Sequence, residues 1–101
     1  DKPRDPIILR VFSYYESFSG SYVVDGKNTV SITAESSYDA GGKIIYYSEY
    51  ALGEIDSLSV TITTSASASF LAIRVYKDGA KVKEAAGSSI ASLSLTYDYD
   101  E

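Results

Sequence analysis

Apolar and polar residues alternate with a period of two along most of this sequence, and breaks rich in Gly, Asp and Ser separate the alternating runs. Alternation of that kind puts successive side chains on opposite faces of an extended chain, so each run can bury one face only as a β-strand. In residues 29–35, Val30, Ile32 and Ala34 face inward and Ser31, Thr33 and Glu35 outward. Residues 57–64 set Leu58, Val60 and Ile62 against Ser59, Thr61 and Thr63, and residues 70–76 set Leu71, Ile73 and Val75 against Arg74 and Tyr76. Residues 90–99 close the series, with Ala91, Leu93, Leu95 and Tyr97 in and Ser92, Ser94, Thr96 and Asp98 out. The window 83–86 alone tolerates a helix, and it is too short to hold one.

The remaining runs carry more mixed faces. In residues 7–16, Leu9, Val11 and Ser13 share one face while Ile8, Phe12 and Tyr14 share the other, with Arg10 between them, which predicts partial cover on both sides. Ser17, Phe18, Ser19 and Gly20 break that run, and a short strand at 21–24 leads into Asp25-Gly26. Asp-Gly supplies the positive φ angles of a tight hairpin turn. Residues 39–42 form the next turn, and 43–52 follow, dense in aromatics: Ile44, Tyr46, Ser48 and Tyr50 on one face, Ile45, Tyr47 and Glu49 on the other. Residues 65–69 are small and polar and are expected to form a loop or a weakly specified edge. Asp78-Gly79 repeats the hairpin signal before a short return strand at 81–83, whose Lys81 and Lys83 protect an edge from pairing with other chains. Residues 85–89 are a connection. Seven or eight strands at this spacing, without helix, predict an all-β, antiparallel two-sheet sandwich. Its core is expected to hold Leu9, Val11, Val30, Ile32, Ile44, Leu58, Val60, Ile62, Leu71, Ile73, Val75, Leu93 and Leu95.

Composition removes most chemistries. The chain of 101 residues contains no Cys and no His, so disulfide frameworks, thiolate zinc sites and Ser-His-Asp or Cys-His devices are excluded. Nine basic residues against 14 acidic ones leave a net charge of −5, which disfavours a nucleic-acid surface even though Lys77, Lys81 and Lys83 cluster near Tyr76. No apolar run approaches the roughly 20 residues of a membrane-spanning helix. Both prolines lie in residues 1–6, which are expected to form an extended N-terminal leader or tether to a β-sandwich domain at 7–101. A Ser-, Thr- and Tyr-rich, Cys-free chain that opens on Asp1 fits a mature exported domain of the cell envelope or extracellular space.

The segment Ile73-Arg74-Val75-Tyr76-Lys77-Asp78-Gly79-Ala80-Lys81-Val82-Lys83-Glu84 follows a pattern I-x-V/I-Y-x-D-G-x-x-V-x-E, and a stretch of small residues and a final strand follow it. It resembles the immunoglobulin-like domains of small exported bacterial lipoproteins and is similar to the mycobacterial membrane-protein-small accessory family. The resemblance implies an immunoglobulin-like sandwich of seven or eight strands on a cell-envelope tether, with no catalytic residues to carry over.

Two residue sets could carry function. Scattered carboxylates (Glu16, Glu35, Glu49, Glu54 and Glu84) would need a pair about 5 to 9 Å apart for glycoside hydrolysis. Asp98, Asp100 and Glu101 would need further oxygen ligands to hold calcium, and they are expected to form a solvated acidic tail. The ten tyrosines are the stronger signal. Tyrosine joins a large rigid face to a hydroxyl, which suits recognition surfaces, although its β propensity also explains its presence in strands. The candidate surface is Tyr14, Tyr46, Tyr47, Tyr50 and Tyr76. The expected role is therefore a non-enzymatic, exported accessory or binding domain, with a carbohydrate-binding module using surface tyrosines as the alternative. No cofactor is implied. The expected partners are a protein or a glycan, not nucleic acid, with a peripheral membrane tether through the N-terminus. Lys81, Lys83, Asp98 and Asp100 are expected to keep the chain a monomer or a weak homo-oligomer.

Overall fold

In the computed structural model, which describes residues 5–100, the chain forms seven strands and no helix. They are β1 (Ile7–Tyr14), β2 (Phe18–Val24), β3 (Thr29–Thr33), β4 (Ser36–Ala40), β5 (Lys43–Gly53), β6 (Ser57–Lys77) and β7 (Ala80–Asp98). All pairings are antiparallel, in the order β3-β2-β6-β1-β5-β4, with β7 on the other side of β6. The expected all-β, antiparallel class is thus observed. The strands form one continuous sheet curled into a half-barrel.

The curl follows from β6. Its first half pairs with β2 from Leu58 to Thr64, and its second half pairs with β1 from Leu71 to Lys77. Along its other side β7 accompanies it almost throughout, with the register shifting between Thr63 and Ala68. Two half-sheets, β3-β2 and β4-β5-β1, therefore share one pair of spanning strands and enclose one core. Leu9, Val11, Leu71, Ile73 and Val75 of one half and Ile32, Leu58, Val60 and Ile62 of the other are all at most 2% exposed. Each fully buried side chain of this kind contributes about 1.5–3 kcal/mol. Tyr22 of β2 meets Tyr50 of β5 across the core, with ring centroids 5.4 Å apart. Burial, and then the neighbouring Tyr50, push the Tyr22 hydroxyl above its ordinary value.

Several expectations need correction. Residues 65–69 are neither loop nor separate edge but the middle of β6, where Ala68 is fully buried. Residues 85–89 are not a connection but lie within β7. Ser36–Ala40 forms β4, a strand exposed along its whole length that β5 holds through its backbone. Phe18, Ser19 and Gly20 do not break the chain: the break is at Tyr15 (φ 71°), and β2 starts at Phe18, which is buried. In the core, Val30 (42% exposed) and Ile44 (44%) lie at open margins of their strands, and Ile7, Phe18, Ile45, Ile55, Ala68, Ala72 and Tyr97 are buried in addition. Leu93 is half-buried against the cluster.

The two Asp-Gly turns are as expected, with positive φ at Asp25 (56°) and Gly26 (68°) and at Asp78 (52°) and Gly79 (81°). Asp25 does more than turn: its Oδ1 accepts the N–H groups of Asp56 (2.7 Å) and Ser57 (2.8 Å), pinning the start of β6 to the β2–β3 turn. Of the expected leader, residues 1–4 lie outside the described residues; the Asp5 N–H donates to the Tyr99 hydroxyl, and the Pro6 carbonyl accepts from the Asp78 N–H.

Candidate functional site

The convex face of the β4-β5-β1-β6 half carries what the core does not. Because alternation holds through β1, the residues Ile8, Arg10, Phe12 and Tyr14 all point away from the core. Register then sets four rows across the strands. Tyr38 lies beside Ile45, and Ile45 beside Tyr14. Ser36, Tyr47, Phe12 and Ala72 form the second row. Glu49, Arg10, Arg74 and Glu84 form the third. Ala51, Ile8, Tyr76 and Lys81 form the fourth.

The third row puts two arginines side by side in the middle of the sheet. Like charges directly opposite one another repel, and two features offset this. Each Nε–H donates to an outer carboxylate, Arg10 to Glu49 and Arg74 to Glu84 (2.5 Å). Each guanidinium also lies over a diagonal aromatic ring, Arg10 over Tyr76 and Arg74 over Phe12, both at 4.7 Å from the ring centroid. Cation–π contacts of this kind are worth about 0.5–1 kcal/mol at exposed sites. Both guanidinium groups consequently hold their protons more tightly than usual, chiefly through the carboxylate hydrogen bonds, with a further contribution from Tyr76. Glu84, bonded first by Arg74 and then by Lys81 (3.1 Å), titrates below the ordinary glutamate value.

Around the arginines the rings form a shallow bowl. Phe12, Tyr14 and Phe70 stand with centroids 5.3 to 6.3 Å apart. Tyr38 meets Tyr47 edge-on at 5.5 Å, and these two remain 52% and 40% exposed. Lys43 sits 5.1 Å from the Tyr14 ring. The resulting depression, about 480 Å³, is lined by Arg10, Phe12, Tyr14, Tyr38, Tyr47 and Tyr76, with Glu49 and Arg74 at its side. Ile45, 8% exposed, belongs to the same lining.

Of the five expected surface tyrosines, the fold brings Tyr14, Tyr47 and Tyr76 together on this face. Tyr46 and Tyr50 point the other way and pack against the core. Tyr50 meets Tyr22, and its hydroxyl lies at the Thr33 backbone, accepting from the N–H at 3.3 Å. Arg10, Phe12, Tyr38 and Arg74 were not among the expected site residues. The signal for Arg10 and Phe12 was the two-faced alternation of residues 7–16, and Arg74 has the outward parity of Tyr76. Tyr38 had no such signal, since its strand carries no alternation. At the C-terminus the Asp100 N–H donates to Asp98 at 3.2 Å, and Glu101 lies outside the described residues. Among the described residues, no group of three or more acidic side chains could hold a metal ion.

No protein-family model matches the chain, and no curated protein matches it. Among solved structures, the calcium-bound form of a protein from Parabacteroides distasonis, determined by NMR, is similar over 97% of this chain and 98% of its own length, at 15% identity and a TM-score of 0.49.

Proposed function

We propose that this chain is a non-enzymatic binding domain of the cell envelope or extracellular space, and that it holds a carbohydrate chain on the convex face of its β4-β5-β1-β6 half. One observation carries the reading: Phe12, Tyr14, Tyr38, Tyr47 and Tyr76 line a single open depression instead of being spread over the surface. Sugar rings bind such sites by laying their C–H faces on aromatic rings while hydroxyls and guanidinium groups take their polar edges.

The carboxylates on this face support a binding role over catalysis. Glu49 on β5 and Glu84 on β7 are separated by β1 and β6, three strand spacings or roughly 14 Å. Glycosidase pairs sit at about 5 to 9.5 Å, and each of these two carboxylates is also engaged by an arginine. A kinship of this curled sheet with immunoglobulin-like sandwiches is part of the proposal, and the single core enclosed by the two half-sheets that share β6 and β7 supports it. Export, and a tether through residues 1–6, rest on the Cys-free composition and on the lipoprotein resemblance of residues 73–84.

Affinity electrophoresis through gels containing a panel of neutral and acidic polysaccharides tests the reading. Retardation by at least one polymer is expected, with loss of retardation on Tyr47→Ala or Tyr38→Ala. Both side chains are largely exposed, so neither change should lower the melting temperature by more than a few degrees. Migration unaffected by every polymer overturns the proposal.

A further inference from the structure

We propose that the face selects an acidic polysaccharide whose sugar rings carry carboxylates, a uronic-acid polymer, with Arg10 and Arg74 as the groups that read the charge. The inference rests on the carbohydrate reading above and deepens it.

Three features of the site lead there. The first is local charge. The chain as a whole is acidic, at −5, yet Arg10, Arg74, Lys43 and Lys81 gather on this face against Glu49 and Glu84. The face is therefore a positive island on a negative molecule, and a polyanion is drawn to it and repelled elsewhere.

The second is the way each guanidinium is held. The carboxylates of Glu49 and Glu84 take the Nε–H side. A guanidinium offers two forks, and engaging Nε leaves the terminal pair of Nη groups as a planar fork of the width that suits a carboxylate. The rings of Tyr76 and Phe12 lie beneath them, each 4.7 Å from its guanidinium carbon.

The third is the adjacency of charge and ring. Arg10 and Arg74 are directly opposed across neighbouring strands, and Tyr47 and Phe12 occupy the next row. A pyranose ring lying on the exposed Tyr47 would bring a carboxylate on that ring, or on its neighbour, to the arginine row one step along the strands. Neutral sugars would bring neither fork an anionic partner.

The test compares polygalacturonate with its fully methyl-esterified form, which keeps the rings and removes the charge, and with dextran sulfate, which keeps charge without planar carboxylates. Affinity electrophoresis of the intact chain at roughly physiological ionic strength, where exposed charges are screened beyond about 8 Å, is the readout. Strong retardation by polygalacturonate is expected, with at least about tenfold weaker binding to the other two. Arg74→Lys keeps the charge but not the fork, and it should weaken polygalacturonate binding about tenfold while lowering the melting temperature by no more than a few degrees. Arg10→Gln should do the same, with far-UV circular dichroism confirming the fold.

Equal binding to the methyl ester overturns the charge selection and leaves the carbohydrate reading standing. Equal binding to dextran sulfate, or full binding by Arg74→Lys, overturns the carboxylate fork in favour of simple charge attraction. Failure of every polymer, neutral ones included, overturns both readings.

Discussion

Gly20 has no room for a side chain: a Cβ built there would lie 2.0 Å from the Thr61 carbonyl oxygen on β6. The obstacle is backbone, so relief requires β2 to move away from the spanning strand. Gly20→Ala should lower stability by roughly 1–3 kcal/mol, visible as a lower urea midpoint. Placing this glycine in a break misjudged its purpose, because one sequence cannot tell a glycine that turns the chain from one that admits a neighbouring strand. Glu84 makes a second prediction at this scale. Its folded carboxyl titrates below the ordinary value of 4.5, so its contribution is fully present above that pH and is lost as pH falls through the folded value. In melts from pH 7 to pH 3, Glu84→Gln should flatten the acid limb. The effect should stay within about 1 kcal/mol, since the side chains of Arg74 and Glu84 are 34% and 28% exposed. An unaltered acid limb would show that the pair contributes nothing to folding.

At the scale of elements, alternation located β1, β5 and the apolar parts of β6 and β7, because those strands bury one face and expose another. It missed β4 and the middle of β6 for opposite reasons. Ser36–Ala40 has no buried face at all, so only its pairing with β5 makes it a strand. Ser65 to Ser69 alternates serine with alanine, a contrast too small to register, although Ala68 is fully buried. The tyrosines of β5 show the same limit. Parity separated Tyr47 from Tyr46 and Tyr50 correctly, but which parity faces water depends on the half-sheet opposite, and no local pattern encodes that. The Asp25 clamp is a device of this scale, since one side chain in the β2–β3 turn satisfies two N–H groups at the entry to β6. Asp25→Ala should cost roughly 1–3 kcal/mol in chemical denaturation, and Asp25→Asn clearly less, because Asn retains an acceptor and tolerates the left-handed backbone. Equal losses in the two variants would place the contribution in the charge instead of the acceptor.

For the molecule as a whole, the curl divides labour between the two sides of one sheet. The concave side becomes the core, and the convex side of the β4-β5-β1-β6 half is left to hold aromatic rings and paired charges that a core could not accept. Nine of the ten tyrosines divide accordingly, with Tyr22, Tyr46, Tyr50, Tyr97 and Tyr99 packing in or against the core and Tyr14, Tyr38, Tyr47 and Tyr76 lining the depression, while Tyr15 stands exposed at the break after β1. The arginine row exists only after folding, because residues 10 and 74 meet through β1–β6 register and residues 49 and 84 arrive from strands on either side. That long-range assembly is why the sequence disclosed the tyrosines and not the arginines. A heteronuclear NMR titration of the labelled chain with oligogalacturonate tests whether this convex face is the binding surface. Shifts are expected to concentrate on Arg10, Phe12, Tyr47, Arg74 and Tyr76, including the Nε–H signals of both arginines, with β2 and β3 unmoved. Shifts confined to the β2–β3 half, or none at millimolar oligosaccharide, would contradict it.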